Sequence, residues 1–197
     1  MKISAVIVSR NDNYGGHLNE RATYCINSAI NTYDEVFYVD WNSETHSLLY
    51  DIKDNLVTKG NLKHIVITPE VASNLTNADP HAQKCCEVLA RNLGLRRATG
   101  DWIISTNIDV IAPKRDQLEA ALDKCEHNTF YTIGRRSIDW ELIKKFHGGE
   151  IVFSQWKELR DHCIANSEPS YHLAELVNDT YTWVWNKSFI LSCYVSY

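Results

Sequence analysis

The sequence lacks several features that would assign it to a familiar class. No apolar run among its 197 residues approaches the roughly 20 residues needed to cross a bilayer. The formal net charge is −5, so no overall basic field is available to hold nucleic acid by its phosphates. No internal repeat or linker rich in proline, glycine or serine divides the chain. We therefore expect a single cytoplasmic domain, 1–197, with no nucleic-acid partner and no transmembrane segment.

Short binding motifs are also absent. The six cysteines form no Cys-x-x-Cys pair, which disfavours a zinc site and indicates reduced thiols. No Gly-x-Gly-x-x-Gly motif follows a predicted strand, which disfavours a dehydrogenase. The composition itself, 44% hydrophobic and 23% charged, is ordinary for a globular protein.

Apolar runs and helical patterns alternate through the first hundred residues. Strands are predicted at 3–8, 35–39, 62–67 and 102–106, and helices at 17–31, 47–57 and 82–98. This order predicts an α/β fold with a mainly parallel central sheet flanked by helices. The pattern weakens after residue 113, where we predict helices at 115–125, 138–146 and 154–165 and strands at 129–133 and 180–185.

Polar segments follow three of the predicted strands, at 9–16, 40–43 and 107–109. Asn, Asp and Gly are common in turns, which explains any one segment without a ligand. The carboxyl ends of parallel strands share one edge of the sheet, where ligands bind near a topological switch point. Three such segments at one edge therefore favour a binding site.

The same segments resemble a known family. Residues 6–12 (VIVSRND) look like the opening strand and loop of GT-A-fold glycosyltransferases, especially family 2-like members. Residues 37–43 (FYVDWNS) resemble their second strand and its acidic turn, and 90–104 the helix and strand before their metal motif. The resemblance covers residues 3–113 and implies a Rossmann-like, nucleotide-diphospho-sugar transferase fold. It makes 1–113 the donor half and 114–197 the acceptor half of the domain.

The resemblance implies transfer of a sugar from a nucleotide-diphosphate donor to a hydroxyl of a glycan or glycoconjugate acceptor. A UDP-sugar, inversion at the transferred carbon and a divalent metal, Mn²⁺ or Mg²⁺, are the family's usual choices. Two alternatives stay open, a non-catalytic module that binds a nucleotide sugar or glycan, and a nucleotidyltransferase. The second usually has a glycine-rich loop with a basic residue, whereas the glycines of 9–16 stand only at its end.

The resemblance also implies roles for individual residues. The nucleotide-sugar-binding set is Ser9, Arg10, Asp12, Asp40, Arg91 and Asn107. Asp40 would accept a hydrogen bond from the base, and the planar guanidinium of Arg91 suits a phosphate. Asp109 would bind the metal, because hard divalent ions prefer carboxylate oxygens. Its partner position holds Asn107, where the family has an aspartate, and an amide oxygen is a weaker ligand.

An inverting transferase needs a carboxylate that takes the acceptor's proton. Residues 178–183 (NDTYTW) resemble the start of the family's downstream acidic segment, which makes Asp179 the catalytic candidate. Residues 190–197 read as an interrupted strand or helix. We accordingly expect a truncated chain, one domain of a longer polypeptide, or a degraded gene product.

Overall fold

The computed structural model describes residues 1–76, 84–126, 131, 136–137, 141, 158, 161 and 168–169. The strands predicted at 129–133 and 180–185 and the helices predicted at 138–146 and 154–165 lie outside these residues, apart from single positions. Asp179, the predicted catalytic residue, also lies outside them.

Four parallel strands form the central sheet. They are Ile3–Ser9 (β1), Glu35–Trp41 (β2), Leu62–Ile67 (β3) and Trp102–Asn107 (β4), in the order β3-β2-β1-β4. Every residue of β1 and β2 is buried, as expected for strands covered on both faces. All four predicted strands are confirmed, and the fold is α/β with a parallel sheet flanked by helices.

Within the part of the chain that the structure describes, five helices of five or more residues accompany the sheet, with small differences from the prediction. They are Leu18–Thr32 (α1), Leu48–Ile52 (α2), Pro69–Thr76 (α3), Glu87–Leu95 (α4) and Arg115–Leu122 (α5). A short 3-10 helix, Lys53–Asn55, follows α2, so the predicted helix 47–57 is two shorter pieces. The helix α3 was not predicted, because Pro69 reads as the end of a strand; proline equally suits a first helical position. Beyond α5, two-residue strands, Arg136–Ser137 (β5) and Glu168–Pro169 (β6), pair antiparallel.

Alternate residues of β1 belong to two separate apolar clusters, one on each face of the sheet. Ile7 packs with the α1 residue Ile26 in one cluster, while Val6 packs with the α4 residue Ala90 in the other. The helix α4 lies very close to β1. A Cβ added at Gly94 would clash with Cγ1 of Val6, so this position requires glycine.

The strand order creates a switch point between β1 and β4. From β1 the chain moves outward through β2 to β3 and then returns to place β4 on the other side of β1. In the register, Ser9 is opposite Asp40 and Val8 is opposite Asn107. The polar segments after β1, β2 and β4 therefore meet at one edge of the sheet.

Helix length and hydropathy bear on membrane insertion. None of the helices in the described part of the chain combines the length and the apolar character that a membrane-spanning helix requires.

Candidate functional site

A cleft opens at the switch point, beside the carboxyl ends of β1 and β4. Its volume is about 310 Å³. The end of β1, the loop into α1 and the first turn of α1 form one wall, and residues 84–87 and the end of β4 form the rest. The lining residues that carry charge are Arg10, Asp12, Arg21, Lys84, Glu87 and Asp109.

The loop from β1 to α1 has an unusual backbone. Asn13, Gly15, Gly16 and His17 all have left-handed φ angles between 50° and 73°. Side chains of the same loop stabilise it, since Asp12 Oδ1 accepts a hydrogen bond from the backbone N–H of Tyr14 at 3.1 Å. Gly15 and Gly16 adopt their left-handed φ angles without the steric cost that a Cβ would impose.

Arg21 joins this loop to the end of β4. Its Nε donates to the carbonyl of Gly16 at 2.9 Å, and its Nη2 donates to the carbonyl of Tyr14. Its Nη1 lies 3.4 Å from Oδ2 of Asp109, and only 5% of the Arg21 side chain is exposed. Burial lowers the pKa of Arg21, and Asp109 opposes that shift. An arginine remains protonated in proteins even so, and the wall of the cleft therefore carries a fixed positive charge.

Arg10 holds the other side of the cleft. Its Nη2 lies 2.6 Å from Oε1 of Glu44, and its Nη1 donates to the carbonyl of Lys84 at 3.1 Å. Asn42 donates to the same carbonyl at 3.2 Å, so two side chains fix the segment that begins at Lys84. The Arg10 side chain is 6% exposed, and its Nε has no hydrogen-bond acceptor among the described residues. Asp12 Oδ2 is near this nitrogen, at 3.9 Å.

Ser9, Arg10, Asp12, Asn107 and Asp109 all line the cleft, so the structure brings together five of the residues predicted from the sequence. Their roles toward a ligand stay predictions.

Ser9 Oγ is 2.6 Å from the hydroxyl of Tyr38. Burial, together with Asp40, raises the pKa of Tyr38, which keeps that hydroxyl protonated and able to donate.

Asp40 lies beside the cleft but is not among the described residues that line it. The residue is fully buried, and Oδ2 accepts a hydrogen bond from the backbone N–H of Leu48 at 3.2 Å. Its Oδ1 accepts from Ser43 Oγ. Both carboxylate oxygens thus hold the turn between β2 and α2. The base contact predicted for Asp40 stays a prediction, and a base would have to displace or share these bonds.

Arg91 is also absent from the described lining residues. Its Nη1 donates to Ser105 Oγ at 2.6 Å and to the carbonyl of Thr106 at 3.2 Å, while its Nη2 donates to Asn107 Oδ1. Nη2 also pairs with Glu87 at 2.9 Å. The phosphate contact predicted for Arg91 stays a prediction. Its contacts within the protein make it a residue that positions Asn107.

The described residues do not fit a divalent metal. Oδ1 of Asn107 accepts from Arg91, and Oδ2 of Asp109 faces Arg21, so both predicted ligands contact a permanent cation. Among the described residues, no group of three His, Cys, Asp or Glu side chains is close enough to hold an ion. The metal stays a prediction from the sequence that this donor set does not favour.

Cys85 is a lining residue that could offer a nucleophile. Burial, then the nearby Glu87 and Asp12, raise its pKa to about 12. The thiol is therefore protonated at neutral pH and poorly suited to nucleophilic chemistry.

Sequence reasoning missed Arg21, which makes the contacts that join α1 to β4. A signal for it exists in the sequence. Arg21 lies between Leu18 and Ala22, two residues of the apolar face predicted for α1. A charged residue among the buried positions of a first helical turn needs a charged or hydrogen-bonding partner, and such a buried pair indicates a candidate functional site.

Comparisons with known proteins give structural similarities only. No protein-family model matches the chain, and no curated protein matches it. The crystal structure of S. aureus TarS 1–349 in complex with UDP is similar with a TM-score of 0.43 and 21% identity, over 73% of this chain and 40% of that one. The galactosyltransferase LgtC in complex with donor and acceptor sugar analogues is similar with a TM-score of 0.39 and 14% identity, over 83% of this chain and 69% of that one. The chain thus spans well under half the length of the TarS structure.

Proposed function

We propose that the chain binds a nucleotide-diphosphate sugar and transfers the sugar to a hydroxyl of a glycan or glycoconjugate acceptor. The observation that carries the proposal is the cleft between β1 and β4, which has two buried arginines in its walls. Ligands of open α/β sheets bind at this position. The volume of about 310 Å³ is at the lower end of the range for small-molecule sites.

Arg10 and Arg21 place buried positive charge in a cleft that three acidic side chains also line. Their Nη groups already donate to protein groups, so these arginines would act on a diphosphate mainly through their charge. The orphan Nε of Arg10 is a buried donor, and a ligand oxygen would satisfy it. When the glycosidic bond breaks, negative charge grows on the leaving nucleoside diphosphate, and fixed positive charge in the cleft stabilises it.

The finer parts of the proposal come from the sequence resemblance. They are a UDP-sugar as donor, inversion, and residues 1–113 as donor half with 114–197 as acceptor half. Inversion needs a carboxylate base near the acceptor hydroxyl, for which Asp179 is our candidate. Mn²⁺ or Mg²⁺, if bound, would neutralise the leaving diphosphate, and nothing else in the proposal depends on that ion.

A non-catalytic module that binds a nucleotide sugar is the second candidate. Asn107 favours it, because the resemblance expects an aspartate at that position. The two candidates differ in one property, which is whether bound donor is consumed.

A donor panel tests the proposal. UDP-, GDP- and dTDP-sugars are titrated into the full chain while its unfolding temperature is followed, and the nucleoside diphosphate released is assayed in parallel. We expect one base class to raise the unfolding temperature and to release its diphosphate slowly. Stabilisation without release would favour the binding module. No stabilisation by any donor would contradict both candidates.

A further inference from the structure

We infer that Arg10 and Arg21 supply the positive charge that a divalent metal would otherwise bring to the diphosphate, so that donor binding needs no metal. The inference rests on the proposed function, because it concerns how that same cleft holds its nucleotide. It departs from the Mn²⁺ or Mg²⁺ that the sequence resemblance implies.

Asp109 pairs with a cation of the protein itself. Its carboxylate lies 3.4 Å from the Arg21 guanidinium, and 19% of its side chain is exposed. The pairing weakens the attraction of Asp109 for a dication and, in the same way, reduces part of the charge that Arg21 offers to an anion. An ion bound to Asp109 would also lie within a few ångströms of the guanidinium, where like charges repel strongly because little water screens them.

Asn107 is the other residue of the predicted ligand set. Asn107 Oδ1 accepts from Arg91, whose other donors hold Ser105 and Thr106 of the same strand. Turning the amide toward an ion would break this bond and leave that guanidinium nitrogen with Glu87 as its acceptor.

Arg10 and Arg21 offer an anion buried positive charge. Both side chains are at least 94% buried and belong to the cleft lining, so their charges act in a site with little competing water. Arg10 has a buried Nε with no acceptor among the described residues. Arg21 sits in the first turn of the 15-residue helix α1, whose amino end adds positive potential on the same side.

Calorimetric titration of UDP, GDP and dTDP into the full chain tests the inference, once with EDTA and once with Mn²⁺. We expect the preferred nucleotide to bind with a Kd that agrees within about twofold between the two conditions. Binding that appears only with Mn²⁺ would overturn the inference and leave the proposed function standing. Binding in neither condition would overturn the proposed function, and the inference with it.

The isosteric Asp109→Asn variant separates this inference from metal-dependent binding, because the two predict opposite changes in nucleotide affinity. If Asp109 partly neutralises Arg21, its removal leaves more of the Arg21 charge to act on the ligand, and nucleotide affinity in EDTA rises by about threefold or more. A loss of affinity would contradict the inference. Asp116→Asn, which changes an exposed aspartate of α5, is the matched control and should bind as the wild type does.

The Arg21→Gln variant completes the test. We expect it to weaken nucleotide binding in EDTA by about tenfold, and Arg21→Lys, which keeps the charge, to weaken it less. Arg115→Gln is the control, because Arg115 also joins several backbone and acidic groups but contacts Met1 and Asp34, at the opposite edge of the sheet. Wild-type affinity in a folded Arg21→Gln protein would contradict the assignment.

Discussion

Three arginines connect the ends of the strands to the segments around them. Arg10 reaches residues 44 and 84, Arg21 reaches 14, 16 and 109, and Arg91 reaches 105 to 107. Each guanidinium donates to backbone carbonyls as well as to side chains, which a lysine cannot reproduce with the same geometry. The cleft therefore depends on these three residues for its shape, and on Arg10 and Arg21 for the buried positive charge of its lining.

Arg91→Ala should destabilise the protein without removing a lining residue. The change leaves the Ser105 hydroxyl and the Asn107 amide without their donor, and we expect a loss of about 1–3 kcal/mol in the free energy of unfolding. Urea denaturation measures it. Arg97→Ala is the control, because Arg97 Nη1 donates to the carbonyl of Leu93 in an exposed position. Equal stability of both variants would show that the Arg91 contacts are energetically unimportant.

Glu35, at the opposite edge of the sheet, should make the protein sensitive to acid. Burial opposes its ionisation, but hydrogen bonds from Lys63, Thr99 and Ser4 outweigh burial and lower its pKa from 4.5 to about 2. A carboxyl group whose pKa is lowered in the folded protein stabilises that state at pH values above its ordinary pKa. This stabilisation is lost as the pH falls from about 4.5 toward 2. Urea unfolding at several pH values should show a steeper decline for the wild type than for Glu35→Gln. Parallel declines would rule out this role for Glu35.

The close packing of α4 against β1 is a property of two elements together. Gly94→Ala should place a methyl group against Val6, and we expect about 1–3 kcal/mol of destabilisation. Thermal and urea unfolding measure the loss. The double variant with Val6→Ala should lose less free energy of unfolding than the sum of the two single losses, since the second change removes the atoms that clash. Strict additivity of the two changes would contradict the close approach.

Sequence patterns predict elements better than they predict their ends. The strands β1 and β4 are continuous apolar runs, which is enough to find them. The helix α4 begins at Glu87 rather than near residue 82, and α3 was missed because Pro69 serves equally well to end a strand or to begin a helix. Local composition does not choose between such alternatives, because tertiary packing decides them.

At the scale of the whole molecule, the sequence predicted which segments meet but not how their side chains pair. The parallel order of strands brings residues 9, 40 and 107 to one edge. The contacts between Arg21 and Asp109 and between Arg10 and Lys84 join residues 88 and 74 positions apart. No local pattern encodes such pairs. Asp40 and Arg91 illustrate the limit, because each lies near its predicted place and is bonded to the protein itself.

Hydrogen–deuterium exchange with and without the preferred UDP-, GDP- or dTDP-sugar tests the central claim most directly, because it locates the ligand on the intact chain. We predict slower exchange in residues 9–21 and 107–110, which border the cleft, and unchanged exchange in β3 and in Arg115–Leu122. Protection confined to other segments, with 9–21 and 107–110 unchanged at saturating ligand, would contradict a nucleotide site between β1 and β4.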